Sequence, residues 1–196
     1  MSNSTSEEKK LIRAPGDLVL RFSEAAKRQG KTVYNYITEI LEQALRAHRM
    51  KRSLEEIIDQ YELLELHREA GAVFTPRDVL EYLINEVGAE DAEVLQQLWY
   101  RAGGWYGIYL KEKFDHPVDA FIRFLRDGRW DLNEVRVKSD RERLEVRCVS
   151  ALLSQERTVL LQKFIEGAMH SIGYKTLDQE SFRGIIRLWF SPSSVS

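Results

Sequence analysis

Apolar positions recur at three-and-four spacing through most of the chain and at spacing two near its end, so helices come first and a sheet follows. Residues 9–14, Lys-Lys-Leu-Ile-Arg-Ala, hold no turn residue and are too short for a helix; they predict a strand or extended arm, stopped by Pro15-Gly16-Asp17. A helix follows over 17–29, with Leu18, Phe22, Ala25 and Ala26 on one side, and Gly30 supplies the left-handed residue that ends it. Thr32 caps the next helix, whose stripe of Val33, Tyr36, Ile37, Ile40, Leu41, Ala44 and Leu45 lasts almost four turns.

Beyond a basic hinge at 50–53, Ser53 caps a helix over 54–70 with Leu54, Ile57, Ile58, Tyr61, Leu64 and Leu66 as apolar positions, and Gly71 ends it. Thr75-Pro76 predicts a start for 77–87, cap then proline, closed by Gly88. A long helix over 89–114 holds Gly103, Gly104 and Gly107. Each glycine costs about 1 kcal/mol in a helix interior relative to alanine, so a close backbone contact, a kink or a ligand is the expected compensation. His116-Pro117 restarts a helix to 126, turned by Asp127-Gly128.

From 133 the period is two: Val135 and Val137, then Leu144, Val146 and Cys148, alternate with charged residues across a turn near Ser139-Asp140, which predicts a hairpin with one buried face. A helix over 158–171 turns Leu161, Phe164, Ile165 and Ala168 inward, and a short strand at 174–177, a turn and a last strand at 185–190 complete the pattern. The fold class is α+β. Its organisation is an arm at 1–8 expected to be disordered, a head at 9–50, a linker helix at 51–70, an α+β domain at 71–191 and a polar tail at 192–196.

A strand and two short helices expose more apolar face than they cover, because about 40 residues is near the lower limit for an independent core. Two copies would solve this by pairing strands into an antiparallel ribbon with interlocked helices beneath. The run 10–15 (Lys-Leu-Ile-Arg-Ala-Pro), the run 26–30 (Ala-Lys-Arg-Gln-Gly) and Lys31-Thr32 opening an amphipathic helix resemble a ribbon-helix-helix DNA-binding domain, and Pro15 to Gly30 has the family's spacing of 15. The resemblance implies outward strand residues at Lys9, Leu11 and Arg13 that read double-stranded DNA, and a phosphate clamp at Lys31, Thr32 and Val33. Leu11 departs from the polar residue usual in the family. It implies either contact with thymine methyls or a ribbon that reads little sequence.

Charge supports that division. The first 53 residues carry 11 Lys and Arg against 6 Asp and Glu, a net +5, so a chain of net −2 leaves −7 on the remainder. A basic head on an acidic body is the footprint of a protein whose head alone meets phosphates.

One cysteine excludes an internal disulfide, and Cys148 alternates with Val146 and Leu144 on the expected buried side of a strand, where it is an inert apolar residue. No signal peptide or apolar run of transmembrane length is read, so a cytoplasmic protein with no membrane partner is expected. His48, His67, His116 and His170 are isolated, with no partner at metal-ligand spacing, and His170, sharing a helical face with Lys163 and Glu166, reads as solvated. Phosphate-binding glycine loops and a nucleophile elbow are absent. No catalytic residue, metal or cofactor is assigned, and no enzyme is expected.

In the later part of the chain, Ala102-Gly103-Gly104, the run 164–167 (Phe-Ile-Glu-Gly) and the closing run 184–190 (Gly-Ile-Ile-Arg-Leu-Trp-Phe) resemble the vinyl-4-reductase-type small-molecule-binding domain, related to the TRAPP transport-complex subunits. Residues 178–190 carry none of the cysteines many members have there, so no metal or cluster is carried over. Trp99, Trp105, Tyr106 and Tyr109, beside the glycines, either pack a core or bound a ligand pocket for a small-molecule effector. The function read from all this is a homodimeric DNA-binding transcription regulator with a C-terminal effector-binding or oligomerisation domain. An antitoxin-like or partition protein whose C-terminal domain binds a protein stays open, as does a structural assembly protein without DNA binding.

Overall fold

The computed structural model describes residues 11, 13–88, 90–128, 131–140 and 143–193. They form two compact units, Met1–Ile58 and Asp59–Ser196. Helices and one antiparallel four-stranded sheet make the chain α+β.

The first unit holds α1 (Gly16–Arg28) and α2 (Val33–Arg49). Their junction is fixed locally. Gly30 has φ +65°, and with the chain turned left-handed there the Lys31 N–H reaches Ala26 O at 2.9 Å and the Gly30 N–H reaches Lys27 O at 3.1 Å, which satisfies two of the last carbonyls of α1. Thr32 Oγ1 then accepts the Asn35 N–H at 3.2 Å and opens α2. Phe22 meets Tyr36 edge-on across the pair, with centroids 6.0 Å apart. Among the described residues of this unit only Ala26 and Ala47 are fully buried, whereas Leu18, Val19, Leu20, Leu41 and Leu45 are exposed. Of the strand expected over 9–14, residues 9, 10 and 12 lie outside the described residues, as do 1–8 and 194–196; Leu11, Arg13 and Ala14 belong to no strand.

The unit boundary falls within α3 (Leu54–Glu69). Ser53 caps it as expected, and reciprocally: Glu56 N–H donates to Ser53 Oγ at 3.0 Å, and Ser53 N–H donates to Glu56 Oε2 at 2.7 Å.

The second unit contains α4 (Arg77–Asn85), α5 (Ala92–Lys113), α6 (Pro117–Arg123), β1 (Glu134–Ser139), β2 (Leu144–Val149), α7 (Gln155–Ile172), β3 (Tyr174–Phe182) and β4 (Ile185–Pro192). The sheet order is β1-β2-β4-β3, antiparallel throughout. Val135, Val146, Cys148, Ile186, Leu188 and Phe190 point from its inner face into one core with Phe121, Leu125, Leu161, Phe164, Ile165 and Met169. The hairpin registers Val135 with Cys148 and Val137 with Val146, as the alternation predicts.

Four details differ from the sequence reading. Pro76, not Thr75, occupies the cap of α4, which ends at Asn85. Ser154 caps α7 by accepting the Arg157 N–H at 3.3 Å, so the helix begins at Gln155, three residues before the expected Thr158. After Arg123 the chain widens into a single π turn over Phe124–Gly128 that keeps Phe124 and Leu125 in the core. Strand β3 is longer than expected, because the polar run Asp178-Gln179-Glu180, read as a turn, stays paired with β4 across a register shift between Thr176 and Asp178. At a sheet edge such residues cost little and discourage pairing with another chain.

Two of the three glycines of α5, Gly103 and Gly107, are accounted for by backbone contact. A Cβ at Gly103 would lie 2.0 Å from Phe164 O, one at Gly107 2.4 Å from Ala168 O, and on the facing helix one at Gly167 2.0 Å from Tyr100 O. Helices α5 and α7 therefore touch backbone to backbone, which only glycine permits. Gly104 differs, since a Cβ there meets Ser171 Oγ at 3.3 Å and a hydroxyl can turn aside. Gly103→Ala should lower unfolding free energy by about 1 to 3 kcal/mol or more through overpacking, while Gly104→Ala, gaining helix propensity, should stay within about 1 kcal/mol of the parent in the same urea titration.

Candidate functional site

The DNA-reading residues implied by the ribbon-helix-helix resemblance belong to the first unit. Lys9 lies outside the described residues; Leu11 and Arg13 are exposed ahead of α1. Thr32 is exposed and Val33 half-buried at the start of α2. Lys31 beside them is not idle: its Nζ sits 2.5 Å from Glu39 Oε2, both groups being substantially exposed. A pair so placed contributes about 0 to 1 kcal/mol, so a stronger anion can displace the glutamate.

In the second unit the four aromatics do not converge on one cavity. Tyr106 is buried among Phe124 and Phe164, with ring centroids 4.9 and 5.4 Å away, and its hydroxyl meets His67 Nδ1 of α3. Trp99 lies edge-on to Phe164 at 6.4 Å, and Tyr109 is half-buried against the same core. Trp105 is 62% exposed, on the opposite side of α5. One step along a helix turns a side chain by about 100°, so Trp105 and Tyr106 are adjacent in sequence yet face different surroundings. Trp99, Tyr106 and Tyr109 pack as core, and Trp105 stands apart from them. A cavity of about 430 Å³ occurs elsewhere, lined by Phe114, Asp115, His116, Asp119, Ala120 and Arg123. Its only arginine is already held by Asp59 at 2.8 Å. A smaller one of about 220 Å³ is bounded by Ile84, Leu95 and Leu160. Among the described residues no three His, Cys, Asp or Glu side chains converge as a metal site.

His170, expected to be solvated, is instead clamped at both ring nitrogens. Nδ1 lies 2.7 Å from Tyr100 Oη of α5, and Nε2 lies 2.8 Å from Thr176 Oγ1 and accepts the Thr176 N–H at 3.3 Å. An amide N–H only donates, so Nε2 is the acceptor and the ring proton resides on Nδ1, donated to Tyr100. Sequence spacing gave no sign of this, because Tyr100 and His170 are 70 residues apart. His67 is likewise partnered by Tyr106, so neither histidine is isolated.

Two buried charged clusters stand beside these, the first joined across distant stretches of sequence and the second within one turn of α7. Arg157, buried in the first turn of α7, bridges Glu81 of α4 and Asp131 ahead of β1, each at 2.9 Å. Glu166, also buried, accepts from Lys163 at 2.8 Å and from Gln162 at 3.1 Å. On the outer face of the sheet Arg136, Arg147 and Arg187 stand side by side, but Glu134 pairs with Arg136 at 2.9 Å, and Glu145 and Glu180 each lie 3.4 Å from Arg187. That face is an ion-paired mosaic, not a phosphate-binding strip. Cys148 is buried among apolar neighbours.

Among the described residues no helix is long and apolar enough to cross a membrane. Comparison with family models, with curated proteins and with solved structures finds no match to this chain.

Burial lowers the His170 pKa below 6.5; Lys163 adds to the lowering and Glu166 opposes it. The folded state then binds fewer protons than the unfolded one, so the contribution of His170 is complete above pH 6.5 and is lost as pH falls through the lowered folded value. Unfolding free energy measured from pH 7.5 down to about 5 should fall in the parent, and His170→Gln should remove that part of the slope. An unchanged slope in the variant would assign the effect to other groups.

Proposed function

We propose that this chain is a dimeric DNA-binding regulator, with the first unit as the pairing and DNA-reading half and the second as a sensing or assembly half. The observation that carries the reading is the uncovered apolar surface of α1 and α2: among the described residues five large aliphatics are exposed and only two alanines are fully buried. Apolar exposure of that order in so small a unit calls for a second copy. The left-handed Gly30 between α1 and the Thr32-capped α2 fits the helix order and glycine spacing that resemble a ribbon-helix-helix domain. The head's net charge of +5 favours a polyanionic partner.

On this reading two arms pair into an antiparallel ribbon that enters the major groove, with Arg13 at base edges. The start of α2 holds a phosphate on its free N–H groups. Lys31 exchanges Glu39 for that phosphate, because binding to DNA releases condensed counterions whereas an exposed ion pair gains little. Such a protein acts in the cytoplasm, where the DNA is.

Three variants test it. Ile40→Asp should dissociate the dimer and unfold the head, seen by sedimentation and circular dichroism; a monomer of undiminished helicity speaks against pairing through α2. Arg13→Ala should cost about 1 to 3 kcal/mol of DNA binding and relax base preference. Lys31→Ala should weaken all sequences alike and flatten the salt dependence by about one unit per subunit. Wild-type affinity in both of the last two variants, measured on the DNA flanking the protein's own coding sequence, would remove the ribbon from the reading.

A further inference from the structure

Helices α4 and α7 are joined by the Glu81 and Arg157 pair at 2.9 Å, and with the start of α5 they bound a space that their own side chains do not fill. Ile84 of α4, Val87 just beyond it, Ala92 and Leu95 of α5, and Val159 and Leu160 of α7 make the wall of this cavity of about 220 Å³. Its place follows from the glycine contact. Leu95 and Gln96 come about two turns before Gly103, and Leu160 about one turn before Phe164, so the cavity opens just ahead of the stretch where α5 and α7 touch. Ile84 is the one buried residue of α4, so this wall is held by little more than that side chain and the Glu81 pair.

We propose that this cavity binds one small neutral molecule, a single ring carrying one hydroxyl group. Volume sets the size: an apolar cavity of about 150 Å³ holds benzene, so about 220 Å³ accepts a ring with a short polar arm. The wall sets the polarity, because six aliphatic side chains offer a ligand nothing to hydrogen-bond. Gln96 supplies the one polar contact. Its amide, on a half-buried residue that lines the cavity, meets no partner among the described residues and can both donate to and accept from a hydroxyl. Glu156, the charged residue at the rim, repels an anion. For a cation its exposed carboxylate returns less than an ammonium loses by leaving water for aliphatic surroundings. The inference deepens the reading of the second unit as a sensing half, but no residue of the first unit lines the cavity and binding is measured without DNA.

Three probes of one shape, benzyl alcohol, benzoate and benzylamine, are titrated into the full-length protein, with Kd read by ligand-observed NMR. Benzyl alcohol should bind with a Kd on the order of millimolar or below, as suits so few atoms, and at least about tenfold more tightly than either ion. Ala92→Phe puts a ring into the space from α5 and should weaken benzyl alcohol at least about tenfold while far-UV circular dichroism stays that of the parent. Val159→Ala widens the space from α7 and should improve the two-ring naphthylmethanol relative to benzyl alcohol by about tenfold. The site is overturned if either ion binds as tightly as the alcohol, if Ala92→Phe keeps the parent's affinity, or if no probe binds at about 10 mM. Should Ala92→Phe lose its helical signal, Val159→Ala decides alone, and an unchanged ring preference overturns the site. Arg13→Ala and Lys31→Ala report on DNA binding whatever this titration gives, so the two readings fail separately.

Discussion

The contact on which the second unit depends is the backbone-to-backbone approach of α5 and α7. Oxygen atoms of Phe164 and Ala168 fill the places where side chains of residues 103 and 107 would begin, and Tyr100 O does the same at Gly167. With α7 held that closely, its other side lies on the sheet through Leu161, Ile165 and Met169. Its two ends are then tied down. At the start, Thr158 Oγ1 donates to Ser154 O at 2.6 Å and accepts the Gly184 N–H at 2.8 Å, joining the helix to the β3–β4 turn. Near its end, His170 spans from Tyr100 on α5 to Thr176 on β3. One helix thus orders the sheet and the helical layer together, and the glycines set the distance between those layers.

Burial is distributed very unequally between the units. The core of the second is continuous from Leu63 to Phe190, and the charged residues buried in it among the described residues, Arg157 and Glu166, are both paired. An unpaired guanidinium at that position would cost several kcal/mol, whereas two carboxylates at 2.9 Å make its burial tolerable. In the first unit local signals do the work instead: a cap at Thr32, a left-handed glycine at residue 30 and an edge-on ring pair. Such signals define helices without supplying a core. On the proposed reading the missing burial comes from a second chain, which makes the stability of the head a function of protein concentration.

What could be read from sequence follows from how far apart the determining residues are. Caps at Thr32 and Ser53, the ends at Gly30 and Gly71, and the hairpin of alternating Val135, Val137, Val146 and Cys148 depend on neighbours within a few positions, and they were legible. The cost of three glycines in α5 was legible too, though not which compensation it had. Strand β3 was cut short because Asp178, Gln179 and Glu180 look like a turn unless one knows that β4 lies on one side and no strand of the sheet on the other. His170 was misjudged because its clamp comes from Tyr100 and Thr176, on two other elements. The aromatic group was left between core and pocket for a related reason: spacing along a helix does not say what surrounds each ring, and the helix sends Trp105 and Tyr106 to different sides.

The same two-sidedness limits how the second unit could signal. A ligand changes another site only by favouring one of two arrangements of the protein, so some joint must have two arrangements. The α5 and α7 pair is not that joint, since sliding one past the other would drive the Gly103 and Gly167 backbones into the carbonyls they already touch. These two helices move as one body. Leu98, Trp105 and Ile108, on the other side of α5, take no part in that interlock. On the proposed reading, in which two copies pair, the contact between copies is where a shift or rotation costs least, as subunit interfaces commonly allow. Any signal on that reading would pass as a change in how two copies are set against each other, not as a change inside the α5 and α7 pair.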